Sequence, residues 1–204
     1  MTGPSDSRSD FEVRRQLLQM EMLYEIGLAI SESLDPTHVG QEILQRELVD
    51  LGTLLRDSVD ATQALWRERA GAEAPAVDWK LDLQAVPATW ANGADLKDVF
   101  GNLLLNALEA MPRGGTLGVT CAPEAGHLCV RIRDTGVGMT EEVRQRALQP
   151  FYSTKGDAGT GLGLSIVYRI VDDHGGEVEL DSTRGQGTCV LVRLPVKEGP
   201  PARG

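Results

Sequence analysis

The 204-residue chain is short of cysteine and of basic residues, and each shortage excludes a class of protein. The three cysteines, Cys121, Cys129 and Cys189, have no Cys-x-x-Cys spacing, and each falls in a strand-like run. We therefore expect buried, reduced thiols in a cytoplasmic protein rather than a disulfide framework or a zinc site. The formal net charge of -10 argues against a surface for nucleic acid or for anionic membranes.

Histidine and long apolar runs are equally scarce. His38, His127 and His174 show no metal-binding spacing such as His-Glu-x-x-His. No apolar run approaches the roughly 18 residues of a membrane span, and no signal peptide opens the chain.

The polar ends, 1–10 and 198–204, are predicted to be disordered. The hydrophobic fraction of 41% supports one domain with a real core, plus a smaller element.

Two amphipathic runs make up the N-terminal third. Residues 11–34 place apolar side chains three and four positions apart, which predicts one helix. The run at 44–65 alternates steps of four and three like a coiled-coil seam, and Asp50 is placed to cap a helix at 51–67. We expect 11–67 to be a helical signalling and dimerisation segment. Packing of these helices onto the core of the same chain is the alternative.

The rest of the chain mixes strand and helix patterns without a regular βαβ alternation. Alternating runs predict strands at 77–83, 116–122, 127–134, 177–182 and 188–195, and helical runs occupy 94–111, 140–147 and 164–174. The pattern predicts an α+β fold over 76–197. It would be a two-layer sandwich of one largely antiparallel sheet with helices on one face.

Two asparagines interrupt the apolar helix predicted at 94–111. Asn102 and Asn106 lie one turn apart, on the same face. A buried amide is costly unless it has a hydrogen-bonding partner. The two side chains could pair with each other, which would be a structural role. Alternatively, an amide oxygen could bind Mg²⁺ together with phosphate oxygens and waters.

Four glycine or aromatic motifs follow the asparagines. They are DTGVGM at 134–139, PFYSTK at 150–155, GTGLGL at 159–164 before an apolar helix, and GQGT at 185–188. Taken singly, they could be a tight turn, a loop anchor and flexible connections. A carboxylate at a strand end can also accept a hydrogen bond from an exocyclic amine. A glycine loop that opens a helix can wrap phosphates with backbone N–H groups.

The order and spacing of these five motifs resemble the ATP-binding catalytic domain of bacterial sensor histidine kinases. That domain belongs to a wider family with gyrase, a class of heat-shock chaperones and mismatch-repair ATPases. The resemblance is strong over 95–195 and implies ATP and Mg²⁺ as ligands. It implies that Asn106 binds Mg²⁺, that Asn102 lies near the phosphates and that Asp134 hydrogen-bonds the adenine amino group. The other nucleotide-binding residues that it implies are Gly136, Gly138, Phe151, Thr154, Lys155, Gly159, Thr160, Gly161, Leu162, Gly163, Leu164 and Thr188.

The resemblance also distinguishes transfer from hydrolysis. ATP-hydrolysing relatives carry a Glu that activates water at the position of Asn102, and a neutral amide is a poor general base. Transfer of the phosphoryl group to another nucleophile is therefore favoured. A complete histidine kinase has a phosphoacceptor His followed by Glu or Asp, and His38 does not match that pattern. We expect no catalytic residue within this chain and no self-phosphorylation, so the acceptor histidine would come from elsewhere.

The N-terminal part resembles pieces of a longer kinase. Residues 14–44 resemble the signalling helix that opens a GAF-like sensor domain, and 45–59 resemble the segment after a phosphoacceptor hairpin. The join near 43–47 thus resembles a deletion, natural or engineered. The expected partners are ATP, a second copy through the N-terminal helices, and a phosphoacceptor or response-regulator protein. The alternatives are a non-catalytic, nucleotide-responsive dimeric adaptor and a serine kinase of the anti-sigma type.

Overall fold

The structure is a computed structural model that describes residues 46–71, 75–147, 149, 152, 161–197 and 199. In chain order its elements are β1 (Glu47–Val49), α1 (Leu51–Ala70), β2 (Val77–Leu83), β3 (Thr89–Ala91), α2 (Gly93–Glu109), β4 (Gly115–Glu124), β5 (His127–Asp134), α3 (Glu141–Arg146), α4 (Gly163–Asp173), β6 (Glu177–Thr183) and β7 (Gly187–Pro195). They belong to one compact unit that begins at Arg46, whereas the sequence alone suggested a boundary near residue 76. The predicted helix at 11–34, His38 and the tail 1–10 lie outside the described residues, as does the tail 198–204 apart from Gly199.

A five-stranded sheet in the order β2-β4-β5-β7-β6 forms one layer. Only β2 and β4 are parallel among these pairs, and the other neighbours are antiparallel. Because successive side chains alternate between faces, one face is apolar and carries Val119, Val130 and Val192, all fully buried. The opposite face carries charged side chains, such as Arg131 and Glu179. The predicted α+β two-layer sandwich is confirmed.

Helix α2 is the centre of the helical layer. Its side chains Leu96, Phe100, Leu104 and Leu108 are fully buried against the apolar face of the sheet and the neighbouring helices. Helices α1 and α4 both pack against it. The helix predicted to carry the two asparagines is therefore held on several sides, which fixes the position of those side chains.

Helix α1 covers the core of its own chain. Asp50 caps it as predicted, because its Oδ1 accepts a hydrogen bond from Thr53 N at 3.2 Å. Leu51, Leu55 and Val59 are buried in the same cluster as the leucines of α2. The apolar face of this helix is thus occupied within the chain, which was the alternative that the sequence left open for this run.

A small two-stranded sheet lies apart from the main one and was not predicted. β1 and β3 pair antiparallel, with Leu48 opposite Trp90. Trp90 N donates to Lys197 O at 2.9 Å, so the end of the main sheet is attached to this pair. Strands of three residues are too short to show an alternating pattern, which is why the sequence did not reveal them.

The C-terminal end of α4 is fixed by side chains from both ends of the compact unit. Arg46 donates to Asp173 O at 3.0 Å, and Lys197 Nζ donates to His174 O at 2.7 Å. The buried His174 accepts from Asn92 N at 3.1 Å and bonds Ile170 O at 2.7 Å through its other ring nitrogen. Because a carbonyl can only accept, the proton of the neutral ring is on Nδ1.

The three cysteines are free thiols that differ in how deeply they are buried. Cys121 and Cys129 are buried, and Cys189 is half-buried. Burial raises the pKa of Cys121 to about 11, so this thiol is held in its unreactive protonated form. Among the helices that the structure describes, none is both long and apolar enough to cross a membrane.

Candidate functional site

Asp134 lies at the end of β5 and is 4% exposed. Its Oδ1 accepts hydrogen bonds from Gly136 N at 2.8 Å and Thr188 N at 3.2 Å. Burial raises the pKa of the Asp134 carboxyl, and the backbone N–H groups of Gly136, Thr188 and Asp134 itself partly offset that rise. Apart from the backbone N–H of Asp134 itself, which also interacts with the carboxyl, no described residue donates a hydrogen bond to Oδ2. One carboxylate oxygen is therefore fixed by the backbone, while the second is available to a ligand.

The loop after Asp134 is held by close backbone contacts on two sides. A side chain at Gly136 would collide with Ala110 O, and one at Gly138 would collide with Thr183 O. Val137 N donates to Ala110 O at 2.9 Å, and Gly185 N donates to Val137 O at 2.7 Å. Glycine is thus required here because neighbouring main chain occupies the space of a Cβ.

Ser182 joins this loop to β7 and belongs to none of the motifs found in the sequence. Its Oγ accepts from Met139 N at 2.9 Å, donates to Gly187 O at 3.1 Å and lies 2.9 Å from Thr188 Oγ1. The signal that could have found it is the strand alternation of β6. Ser182 continues the line of Val178 and Leu180 toward the helices, where a polar side chain needs a reason.

Asn102 and Asn106 are half-buried on one face of α2. The Asn102 Nδ2 donates to Asp98 O at 2.9 Å, so its amide hydrogens are directed back to its own helix. A Cβ placed on Gly163 would lie 3.4 Å from Asn102 Oδ1 and 3.5 Å from Asn106 Nδ2. The first turn of α4 therefore lies directly against the asparagine pair.

The N-terminus of α4 differs from those of the other described helices. Asp50, Asn92 and Thr140 each cap their helix with a side-chain oxygen. Leu162 occupies the same position in α4 and makes no side-chain capping bond. The first N–H groups of a helix have no partner within the helix, and together with the helix dipole they favour an anion.

The structure brings the described members of the predicted site into two neighbouring clusters. We name the clusters after the ligand groups that the resemblance predicts for them. The purine-end cluster contains Asp134, Gly136, Gly138 and Thr188, and the phosphate-end cluster contains Asn102, Asn106, Gly161, Leu162, Gly163 and Leu164. Ala110 connects them, because Ala110 N donates to Asn106 O at 3.0 Å while Ala110 O accepts from the glycine loop. The predicted members Phe151, Thr154, Lys155, Gly159 and Thr160 lie outside the described residues.

The side-chain oxygen atoms in the phosphate-end cluster are of the kind that binds a hard divalent cation such as Mg²⁺. In the part of the chain that the structure describes, no group of three or more His, Cys, Asp or Glu side chains could hold a metal ion. The amide oxygens of Asn102 and Asn106 are the oxygen ligands that this cluster could give to a metal ion. Mg²⁺ typically takes one or two protein oxygens and completes its shell with phosphate oxygens and waters.

A groove of about 470 Å³ lies elsewhere, on the charged face of the sheet. Arg131 and Arg144 line it, but each is already bound to a carboxylate. Arg131 bonds Glu124 at 2.7 and 2.9 Å, and Arg144 bonds Glu141 at 2.6 and 2.8 Å. The paired charges make this groove a weaker candidate for an anionic ligand than the start of α4.

The fold and the two clusters define a nucleotide-binding domain, and residues 91–198 match the family model of the histidine kinase-, DNA gyrase B- and HSP90-like ATPases. The chain belongs to this family, and the matched region is its ATP-binding domain. Its relatives include sporulation kinase E of Bacillus subtilis (strain 168), which is 39% identical over 147 residues, 71% of this chain and 19% of the relative. Sensor histidine kinase ZraS of Klebsiella oxytoca is 35% identical over 182 residues, 85% of this chain and 38% of the relative.

The solved structures agree with this assignment. The catalytic domain of histidine kinase ThkA matches with a TM-score of 0.64 and 26% identity, covering 74% of this chain and 96% of that chain. The present chain spans well under half the length of the two curated relatives. The resemblance to the ATP-binding domain of sensor histidine kinases, drawn from five motifs, is confirmed.

Proposed function

We propose that this chain is the ATP- and Mg²⁺-binding catalytic part of a two-component histidine kinase. It would transfer the γ-phosphoryl group of ATP to a histidine supplied by another segment or another chain. The observation that carries the proposal is the arrangement of two clusters joined through Ala110. In one cluster, the Asp134 carboxylate has its Oδ1 bonded to two backbone N–H groups. In the other, the amides of Asn102 and Asn106 lie against the start of α4, which has no side-chain cap.

The purine-end cluster suits adenine. Asp134 Oδ2 would accept a hydrogen bond from the 6-amino group, while Oδ1 stays bound to Gly136 N and Thr188 N. Gly136 and Gly138 let the loop pack closely against Ala110 O and Thr183 O, which holds the carboxylate of Asp134 in a fixed position for the base. A hydrogen bond to a buried carboxylate is among the stronger polar contacts, worth about 1.5–3 kcal/mol.

The phosphate-end cluster suits a metal-bound triphosphate. Asn106 would hold Mg²⁺ through its amide oxygen, and Asn102 Oδ1, which also borders Gly163, would lie near the same phosphates. Bound there, Mg²⁺ neutralises charge on the transferring phosphoryl group. The first N–H groups of α4 would bind phosphate oxygens. Lys155 and the glycine loop at 159–161 would complete the cover over the phosphates, as the resemblance implies.

Asn102 favours transfer over hydrolysis. A neutral amide cannot take a proton from water at ordinary pH, so it does not make a hydrolytic nucleophile. Its Nδ2 hydrogens are also directed to Asp98 O. The domain thus supplies positioning and charge neutralisation, which is most of what phosphoryl transfer requires. The nucleophile would be the imidazole of the acceptor protein.

Equilibrium titration tests the binding half of this proposal. We expect ATP to bind in the presence of Mg²⁺ and to bind at least about tenfold more weakly without it or in Asn106→Ala. The isosteric change Asp134→Asn should weaken ATP binding by about 10- to 100-fold, because a donor replaces the acceptor that faces the amino group. Asp82→Asn removes a carboxylate from the exposed strand β2 and serves as the matched control. An ATP affinity that ignores both Mg²⁺ and Asp134→Asn would refute the assignment.

Labelled ATP tests the transfer half. The chain is incubated with γ-labelled ATP alone and then with an isolated phosphoacceptor domain. Acid-labile label on the partner and none on this chain is the expected result. Acid-stable label would instead indicate transfer to Ser or Thr, as in an anti-sigma-type kinase. ATP binding without any label would indicate a nucleotide-responsive adaptor.

We also propose a cytoplasmic homodimer formed through the N-terminal helices. Free thiols at Cys121, Cys129 and Cys189 suit a reducing compartment. The apolar face of α1 is covered by its own core, so the proposal rests on the pattern at 11–34. Sedimentation of the full chain beside a chain that starts at Arg46 tests it. Two equally monomeric species would refute it.

A further inference from the structure

Ser182 is the polar side chain at which three segments near the purine-end cluster meet. Met139 N, from the loop after Asp134, donates to its Oγ at 2.9 Å. The same oxygen lies 3.1 Å from Gly187 O and 2.9 Å from Thr188 Oγ1. The half-buried hydroxyl therefore links the glycine loop, β6 and the start of β7 at a single atom.

The hydrogens around Ser182 can be counted. A hydroxyl has one hydrogen and two lone pairs. Since Gly187 O can only accept, Ser182 must give its hydrogen to that carbonyl. Its lone pairs then accept from Met139 N and from the Thr188 hydroxyl. All three contacts are hydrogen bonds only in this arrangement.

This arrangement fixes the polarity of Thr188. Its hydrogen is used by Ser182, so Thr188 Oγ1 offers only lone pairs to a ligand. Thr188 is 9% exposed and lies beside Asp134, which is bound to Thr188 N and also offers only lone pairs. Asp134 Oδ2 and Thr188 Oγ1 are therefore both acceptors. A donor such as a 6-amino group matches them, whereas a 6-oxo group would face lone pairs on both.

We propose that Ser182 is a positioning residue that sets base selectivity: it holds the Thr188 hydroxyl as an acceptor and so favours 6-aminopurine over 6-oxopurine nucleotides. The inference rests on the proposed function, because it assumes that the base lies against Asp134 and Thr188. It adds a residue outside the five motifs and gives it a role distinct from that of Asp134. Without the Ser182 hydroxyl, Thr188 could turn and donate to a 6-oxo group.

Competition binding with ATP and inosine triphosphate tests the proposal on the full chain. The two nucleotides differ at the 6-position, where an oxo group replaces the amino group, and at the adjacent N1, which carries a hydrogen only in the inosine base. We expect the wild type to bind ATP more tightly than inosine triphosphate. Ser182→Ala should reduce the ratio of the ATP affinity to the inosine triphosphate affinity about tenfold, because Thr188 can then donate to the 6-oxo group. Ser182→Thr keeps a hydroxyl on a strand-compatible residue and should restore the ratio.

A double-mutant cycle separates this role from a general structural one. In a Thr188→Val background no hydroxyl remains to be oriented, so adding Ser182→Ala should leave the ratio unchanged. Ser58→Ala, which removes a buried hydroxyl bonded to Leu54 O at 2.8 Å in α1, is the matched control and should leave the ratio unchanged in the wild-type background. Thermal melting of each variant checks that it folds.

The outcomes distinguish the two proposals. If the wild type prefers ATP and Ser182→Ala weakens both nucleotides equally, the role of Ser182 is refuted while the proposed function stands. The same holds if the ratio still changes in the Thr188→Val background. If the wild type binds neither nucleotide, or if Asp134→Asn leaves ATP binding intact, the proposed function fails and the inference fails with it.

Discussion

The two ends of α4 are built differently. At its start, Leu162 provides no side-chain cap, and Gly163 lies against Asn102 and Asn106. At its end, Arg46 and Lys197 bond the last carbonyl groups, and His174 is bonded through both ring nitrogens. The start has no side-chain cap, whereas carbonyl groups at the end accept hydrogen bonds from side chains of the same chain.

This difference separates binding from stability within one helix. A helix terminus that is already satisfied contributes to the folded state, whereas an unsatisfied one is stabilised when an anion binds. Substitutions at the start of α4 should therefore change nucleotide affinity with little effect on unfolding. Substitutions at its end should do the reverse, and four experiments test that division.

The largest effect is expected from Gly163→Asp. A carboxylate here would lie beside the asparagine pair, where the phosphates are proposed to bind, and like charges should weaken ATP binding by at least about 100-fold. The same carboxylate at a helix start should raise the free energy of unfolding by about 0.3–1 kcal/mol. Titration and urea unfolding measure the two quantities. Gly163→Asn separates charge from bulk, and equal losses of affinity for Asp and Asn would contradict the electrostatic explanation.

A smaller effect, on stability alone, is expected from His174→Ala. The change removes a buried ring and leaves Asn92 N without its acceptor, so the free energy of unfolding should fall by about 2 kcal/mol. ATP affinity should stay within about twofold of the wild type when it is measured well below the melting temperature. A large loss of affinity in the folded variant would mean that the two ends of α4 are not independent.

The pH dependence of stability provides the third test. Burial lowers the pKa of His174 below 6.5, the cations Arg46 and Lys197 act in the same direction, and the Ile170 carbonyl and Asp95 oppose them. Between that lowered pKa and about 6.5 the unfolded chain binds a proton that the folded chain does not, so stability is lost as the pH falls.

We expect a loss of stability as the pH is lowered from 7.5 to 5.5, of at most about 1.4 kcal/mol per pH unit, which is the limit for one bound proton. It should disappear in His174→Gln and remain in His127→Gln, which changes a histidine at the start of β5. Urea unfolding at the two pH values measures it. An equal pH dependence in all three proteins would show that His174 is not its source.

The smallest effect is expected from Arg46→Gln. The guanidinium bonds Asp173 O at 3.0 Å, and a cation at a helix C-terminus contributes about 0.3–1 kcal/mol at low salt. The loss should shrink as salt is added, because exposed charges are screened. Lys97→Gln, at an exposed position of α2, removes the same charge away from this end. A salt-independent loss would indicate that packing, not charge, is responsible.

Much of the fold could be predicted because its elements carry strong local patterns. The strands at 127–134 and 188–195 alternate, and Gly175-Gly176 follows α4 where its helical pattern stops. The residues of the purine-end cluster could be found through the order and spacing of the five motifs, because the glycines beside Asp134 could by themselves equally form a tight turn. Their roles in nucleotide binding stay predictions.

Other features depend on contacts that no local pattern contains. The seam of α1 suggested a coiled coil, but Leu54 and Val59 widen its buried stripe beyond two positions per heptad, and only the position of α2 shows what covers it. Ser182 precedes a glycine turn, and a serine at such a place in the sequence is typical of an exposed position. Its partners, Met139 and Thr188, come from different elements, so its role becomes visible only after folding.

The covering of α2 by α1 decides where this molecule can be trimmed. A fragment that starts after α1 would expose to water the apolar side chains of α2 that pack against α1, and it should aggregate rather than bind nucleotide. A fragment that starts at Arg46 keeps α1 packed on the core, and it keeps the Arg46 guanidinium that donates to Asp173 O at the end of α4. A shortened chain for crystallisation, or for fusion to another phosphoacceptor domain, should therefore start before β1.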